Sequence, residues 1–212
     1  MVSRIHFRPW QILGLKLLIH SLCIGWAGIT YYQAVTDQLG GDPVKAILHF
    51  TGISAFNLLL MSLCMSPLAK YFRQAQFIRF RRLLGLYAFF YAVLHLLSYL
   101  LFELQLEWGM LISEIIKRPY ITVGMSAWLI LLALSITSTQ AMQRKLGRRW
   151  QRLHNWIYLA ACLIALHYIW SVKSDIVQPA LYIAMLAVLL GLRKDKLLKP
   201  LQGIWRKIST RA

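Results

Sequence analysis

Six apolar blocks divide the chain, at residues 10–32, 47–66, 83–102, 120–139, 153–171 and 178–192, and the short segments between them carry nearly all the charge. Each block approaches the ~20 residues an α-helix needs to cross a ~30 Å hydrocarbon core, the sixth being the shortest. A bilayer core offers no water to backbone N–H and C=O groups, so helices, which satisfy them internally, are the natural spanning form. The expected fold class is therefore all-α, a polytopic transmembrane bundle of six spans forming one domain over residues 1–212. Pro43, Pro67, Pro119 and Pro179 stand at or near block edges, where a helix start or stop tolerates them. Hydrophobic residues make up 58% of the chain, against about 45–50% in a soluble domain, which leaves aqueous surface only for loops and tails.

The charges between the blocks assign the two sides. Residues 1–9, 67–82, 140–152 and 193–212 hold nineteen of the twenty-four Lys and Arg residues. The alternate segments hold Lys45, Lys117, Arg118 and Lys173, together with six of the seven acids, Asp37, Asp42, Glu103, Glu107, Glu114 and Asp175. Lys and Arg accumulate on the cytoplasmic side of membrane proteins, so six spans bring both termini to the cytoplasm. The net charge of +17 is thereby read as membrane orientation, and nucleic acid is not an expected partner. The run from Trp10 to Tyr32 is too long for the apolar core of a signal peptide and is read as an uncleaved first span. Cys23, Cys64 and Cys162 lie inside apolar blocks with no paired spacing, which excludes a CxxCH attachment of c-type haem and argues against a structural disulfide.

Ionisable groups inside a membrane are unfavourable unless they have a function or a partner. Four histidines fall within the blocks away from their outer edges: His20, His95, His154 and His167. With a rise of about 1.5 Å per residue, His95 lies roughly 18 Å from the cytoplasmic edge, His167 roughly 24 Å and His154 about 4–5 Å. His95 and His167 thus share the outer half and can face each other as an axial pair for a low-spin haem. His154 and His167 are about 20 Å apart along one helix, but thirteen steps of about 100° leave their side chains about 140° apart. Proton relay, metal-ion binding and satisfaction by neighbouring Ser, Thr or backbone groups remain open for these histidines on residue chemistry alone.

Longer motifs surround them. Gly41-Asp42-Pro43 precedes His49-Phe50-Thr51-Gly52; Arg81-Arg82-Leu83-Leu84-Gly85-Leu86 precedes His95; Arg118-Pro119-Tyr120 opens the fourth block. The stretch Thr137-Ser138-Thr139-Gln140-Ala141-Met142-Gln143-Arg144-Lys145-Leu146-Gly147 follows, then Trp150, Leu153-His154-Asn155 and His167-Tyr168 with Trp170-Ser171-Val172-Lys173. Over nearly its whole length the chain resembles the MsrQ (YedZ) family, haem-binding membrane subunits of periplasmic protein-methionine-sulfoxide reductase systems, which sit among the ferric-reductase-like transmembrane domains. The resemblance implies haem b, one or two per chain, held by His95, His154 and His167, with FMN as an associated cofactor. It also implies a bacterial inner-membrane location and electron flow from the quinone pool to a periplasmic molybdopterin-containing catalytic subunit that repairs oxidised proteins. Where the wider superfamily often carries a second histidine on the third span, this chain has Arg81, fourteen residues before His95. A second haem would lack its usual partner there.

Arg81, Arg82, Arg148 and Arg149 belong to two basic loops, and two readings fit them. They set topology and touch anionic lipid, or they seat haem propionates or the FMN phosphate, for which Arg geometry is suited. The outer loop 103–119 is either a docking surface for a periplasmic subunit or a short solvated connection. No Gly-rich nucleotide fingerprint follows a strand, which speaks against a nicotinamide-binding domain and a stand-alone ferric reductase. A small proton-coupled transporter using the intramembrane histidines is the competing class, although no repeat or broken span pair supports it. The colour of the purified protein separates the classes: b-type bands after dithionite reduction are expected, whereas a colourless preparation made with adequate haem supply would favour transport.

Overall fold

Proline sets where three of the long helices begin. In the computed structural model, which describes residues 8–172 and 176–193, α1 (Pro9–Val35), α2 (Pro43–Tyr71) and α5 (Pro119–Ile136) each carry proline in the first turn. There the missing N–H is no loss and the fixed φ is already helical. Asp42 caps α2, its side chain accepting from the Lys45 N–H at 2.9 Å. The remaining helices are α3 (Ile78–Ser98), which continues as a π-helical turn over Tyr99–Glu103, then α4 (Trp108–Lys117), α6 (Gln140–Leu146), α7 (Arg148–His154), α8 (Ile157–Ser171) and α9 (Val177–Gly191).

Five stretches are long and apolar enough to cross a membrane: α1, α2, α3 with its flanking turns, α5, and α7–α8 counted together as Arg148–Ser171. The sixth, α9, has 15 residues and reaches only about 22 Å. It follows the expected sixth block closely and remains the short one. The chain is a multi-pass helical membrane bundle. Three expectations need correction. Pro67 does not end the second span; α2 runs through it to Tyr71. The outer loop 103–119, expected as a docking surface or a short solvated connection, holds a helix, α4, whose Trp108, Ile112 and Ile116 form an exposed stripe at helical spacing, suited to a membrane surface. The fifth span is interrupted between α7 and α8 at Asn155 and Trp156.

Packing follows two intimate pairs, α2 against α3 and α5 against α8, joined by contacts of α3 with α5 and of α2 with α8, while α9 lies against α8 and α2. Phe56, Leu59, Leu63, Ala88, Ala160 and Ala161 are among the most deeply buried residues of that centre. The alanines let helix backbones approach where no water-driven force operates between them. Helix α1 is peripheral. Its Leu17, Ile24 and Trp26 are exposed, as lipid-facing side chains are. Polar contacts tie it to α3: His20 Nδ1 lies 2.5 Å from the Tyr87 hydroxyl, Tyr91 donates to the Cys23 carbonyl at 2.7 Å, and Tyr31 bonds Ser98 at 2.6 Å. His20 therefore has a structural partner. Cys23, Cys64 and Cys162 are unpaired.

The described charges segregate as the loop pattern requires. Lys70, Arg73, the start of α3, α6, α7 and Arg193 share one end, the basic end. Asp37, Asp42, Glu103, Glu107 and Glu114 lie at the other, where Glu114 pairs with Arg118 at 2.7 Å. His6, Arg4, Lys173, Asp175 and the basic residues from Lys194 to Arg211 lie outside the described residues.

Gly147, which separates α6 from α7, has φ +50 and ψ −122, and nothing lies within 4 Å of a Cβ built on it. A substitution there meets backbone strain rather than a clash. Gly147→Ala is expected to destabilise the protein by about 1–3 kcal/mol, read as a lowered melting temperature in detergent, while Gly25→Ala on the open face of α1 stays neutral or slightly stabilising.

Candidate functional site

His95 near the end of α3 and His167 near the end of α8 meet across the bundle, their ring centroids 6.2 Å apart and their planes at 85°. Both rings are half-buried. Each is held in the same way by a neighbouring helix. His95 Nδ1–H donates to the Leu48 carbonyl of α2 at 2.9 Å, with Thr51 Oγ1 at 3.3 Å. His167 Nδ1–H donates to the Tyr120 carbonyl of α5 at 2.7 Å. In both cases the carbonyl stands four residues before a glycine, Gly52 or Gly124, whose own N–H reaches that same carbonyl in an α-helix. The ring lies on the glycine. A Cβ on Gly52 would stand 3.2 Å from His95 Nδ1, and one on Gly124 would stand 2.7 Å from His167 Nδ1.

This arrangement has a chemical consequence. With Nδ1–H committed to a carbonyl, each neutral imidazole keeps its Nε2 lone pair for a ligand. Two metal–imidazole bonds of about 2 Å, plus about 1 Å from each ring centre to its nitrogen, sum to about 6 Å, the separation seen between the rings. Among the described residues no three His, Cys, Asp or Glu side chains converge on a metal position. Two imidazoles fall short of the four ligands a bare structural ion demands, but they suffice for an iron whose equatorial positions a macrocycle fills. The residues present thus fit a bis-histidine haem.

His154 is held differently and lies elsewhere. It stands beside Thr137 at the far end of α5, thirteen residues or about 20 Å from Gly124. Its Nε2 is 3.2 Å from Thr137 Oγ1, whose hydroxyl donates to the Ala133 carbonyl at 2.7 Å, so the nitrogen is the donor and Nδ1 the free acceptor. Trp150 stacks on the ring at 4.0 Å and anchors itself by donating from Nε1 to the Thr137 carbonyl at 2.9 Å. The depths read from sequence agree: His95 and His167 share one end, and His154 sits at the basic end. The offset of about 140° assumes one continuous helix, which is broken here at Asn155–Trp156, and both His154 and His167 reach α5.

Of the four arginines singled out in the sequence, only Arg81 turns inward. Arg82, Arg148 and Arg149 are exposed, whereas Arg81 is half-buried and close enough for its charge to act on His154, Tyr158 and Arg193. Arg193 is the residue that sequence reading missed. It is 8% exposed, donates to the Tyr158 hydroxyl at 2.9 Å and to the Leu63 carbonyl, and its guanidinium lies over the Tyr158 ring. Gly124 and the carbonyls of Leu48 and Tyr120 were equally silent, because backbone acceptors leave no mark in a side-chain pattern.

Residues 51–165 match the family described as "Ferric reductase like transmembrane component". A relative from Xanthomonas axonopodis pv. citri (strain 306), named protein-methionine-sulfoxide reductase heme-binding subunit MsrQ, is 48% identical over 207 residues, spanning 95% of this chain and 90% of its own. The protein of the same name from Klebsiella pneumoniae subsp. pneumoniae is 51% identical over 197 residues, spanning 90% of this chain and 95% of its own.

The glycine contacts rank two substitutions. Gly124→Ala must displace the His167 ring and is expected to destabilise by about 1–3 kcal/mol, with Gly52→Ala milder because its contact is longer. Thermal unfolding of the two variants side by side checks the order.

Proposed function

Because the chain belongs to the MsrQ family, within the ferric-reductase-like transmembrane proteins, we propose that it is the haem b-binding, electron-transferring membrane subunit of a methionine sulfoxide reductase system. The observation that carries this reading is the neighbouring pair His95 and His167, each with Nδ1–H tied to a helix carbonyl, which leaves Nε2 as the nitrogen with a lone pair. Haem b, when bound, supplies a one-electron iron couple in a low-dielectric setting. The protein's own part is orientation. Leu48 and Tyr120 hold the rings, Gly52 and Gly124 admit them, and the packed α2–α3 and α5–α8 pairs keep their spacing.

The finer reading follows from charge and depth. The basic end faces the cytoplasm of a bacterial inner membrane, with both termini there. The paired histidines then lie towards the periplasm, which shortens the last step to a periplasmic molybdopterin-containing catalytic subunit. Quinol in the membrane, or a flavin reductase in the cytosol, is the electron source. His154 serves at the cytoplasmic edge, through Nδ1, beside a second haem or a flavin. Arg82, Arg148 and Arg149 stand exposed at that edge, open to an FMN phosphate or to anionic lipid. The whole chain, residues 1–212, acts as one haem-binding domain.

Spectroscopy of single variants tests the assignment. His95→Ala and His167→Ala are each expected to lose the reduced low-spin b-type bands by most of their amplitude, while His154→Ala keeps those of the paired site. Full bands in either of the first two variants would overturn the ligand pair.

A further inference from the structure

At the basic end, positive charge accumulates inside the bundle without an acid among the described residues to balance it. Arg193 leaves the end of α9 and folds back between α2 and α8. Pro67 makes this possible. It has no N–H to give the Leu63 carbonyl four residues before it, so α2 carries one free carbonyl inside the bundle, and Arg193 donates to it. That contact and the Tyr158 bond fix the guanidinium, yet its Nε–H is buried with no acceptor among the described residues. Arg81 stands near it, electrostatically coupled to both Arg193 and Tyr158, and its guanidinium has no bonded partner among the described residues. Tyr158 accepts from Arg193, so its own hydrogen is left to give. These donors gather in one place, and every acid among the described residues lies at the opposite end of the bundle. Uncompensated buried cations are strongly unfavourable, and charge-assisted bonds to an oxyanion relieve them.

We propose that Arg193, Arg81 and Tyr158 form a seat for the carboxylate or phosphate group of a small amphiphile bound at the basic end of the bundle. The ligand enters among α2, α3, α8 and α9, with its anionic group against the two guanidinium groups and its apolar body towards His154. The seat is distinct from the His95–His167 site and does not depend on what that site binds. Three sources share the required chemistry: the phosphate of a flavin, the propionates of a porphyrin, and the headgroup of an anionic lipid.

The test compares matched ligands in neutral phosphatidylcholine nanodiscs, with circular dichroism and size-exclusion profiles establishing that each variant is folded. The pairs are FMN against riboflavin, haem against haem dimethyl ester, and phosphatidylglycerol against phosphatidylcholine as the added lipid, read as affinity or as a shift in melting temperature. In at least one pair the anionic member is expected to bind tenfold or more tightly, and that pair identifies the source. Arg193→Gln is expected to abolish the preference and Arg193→Lys to retain part of it. Pro67→Ala, which returns an N–H to the Leu63 carbonyl, is expected to weaken it without removing any charge. The absence of an anion preference in every pair, or its survival in Arg193→Gln, overturns the proposal. So does the finding that Asp195→Asn lowers the melting temperature as much as Arg193→Gln with no further loss in the double variant, since the chain's own carboxylate then fills the seat.

Discussion

Two hydrogen bonds organise this bundle: those that His95 and His167 give from Nδ1 to helix carbonyls. A neutral imidazole is tolerable in a membrane only when its N–H has an acceptor, and an uninterrupted helix offers none to its neighbours except by sharing a carbonyl already in use. Sharing requires the ring to lie close against the partner backbone, hence Gly52 and Gly124. Close approach in turn dictates which helices pair. The α2–α3 and α5–α8 contacts, and the alanine-lined seam between them, are consistent with that one geometric demand. What remains free on each ring, the Nε2 lone pair, is the chemistry the bundle presents.

The two ends of the molecule solve the problem of intramembrane polarity differently. Towards the acidic end, the ring N–H groups of His95 and His167 are each paired with a helix carbonyl. At the basic end, the Arg193 guanidinium is held by a phenol and a carbonyl, with Arg81 close by. A site of the first kind suits a metal ligand set, where the lone pair matters. A site of the second kind suits an anion, where the field matters. His154 lies between them, donating to Thr137 and close to the Arg81 charge.

Much of this was legible in the sequence because it is one-dimensional. Six apolar blocks and an uneven loop charge are sums over neighbours, and they anticipated the spans and the separation of basic from acidic ends. Depth is also a count along a helix, so His95 and His167 came together as expected. Phase is not. The 140° offset of His154 from His167 assumed one continuous helix, and the local break at Asn155–Trp156 removed the assumption. Pro67 was misread for a related reason: proline disfavours a helix interior, but Arg193, 126 positions later, takes up the orphaned carbonyl. Arg193 itself was counted among nineteen basic residues because nothing local distinguishes the one that turns inward.

Helix α2 offers a backbone acceptor at both ends of the molecule, Leu48 beneath His95 and Leu63 beneath Arg193. The two carbonyls are fifteen residues apart, about 22 Å along a rod that does not stretch. Helix α2 therefore works as a ruler. Loss or gain of a single residue between them would swing one acceptor about 100° relative to the other and leave one of the two sites without its footing. The interval between Leu48 and Leu63 should for that reason tolerate exchange of side chains far better than any change of length.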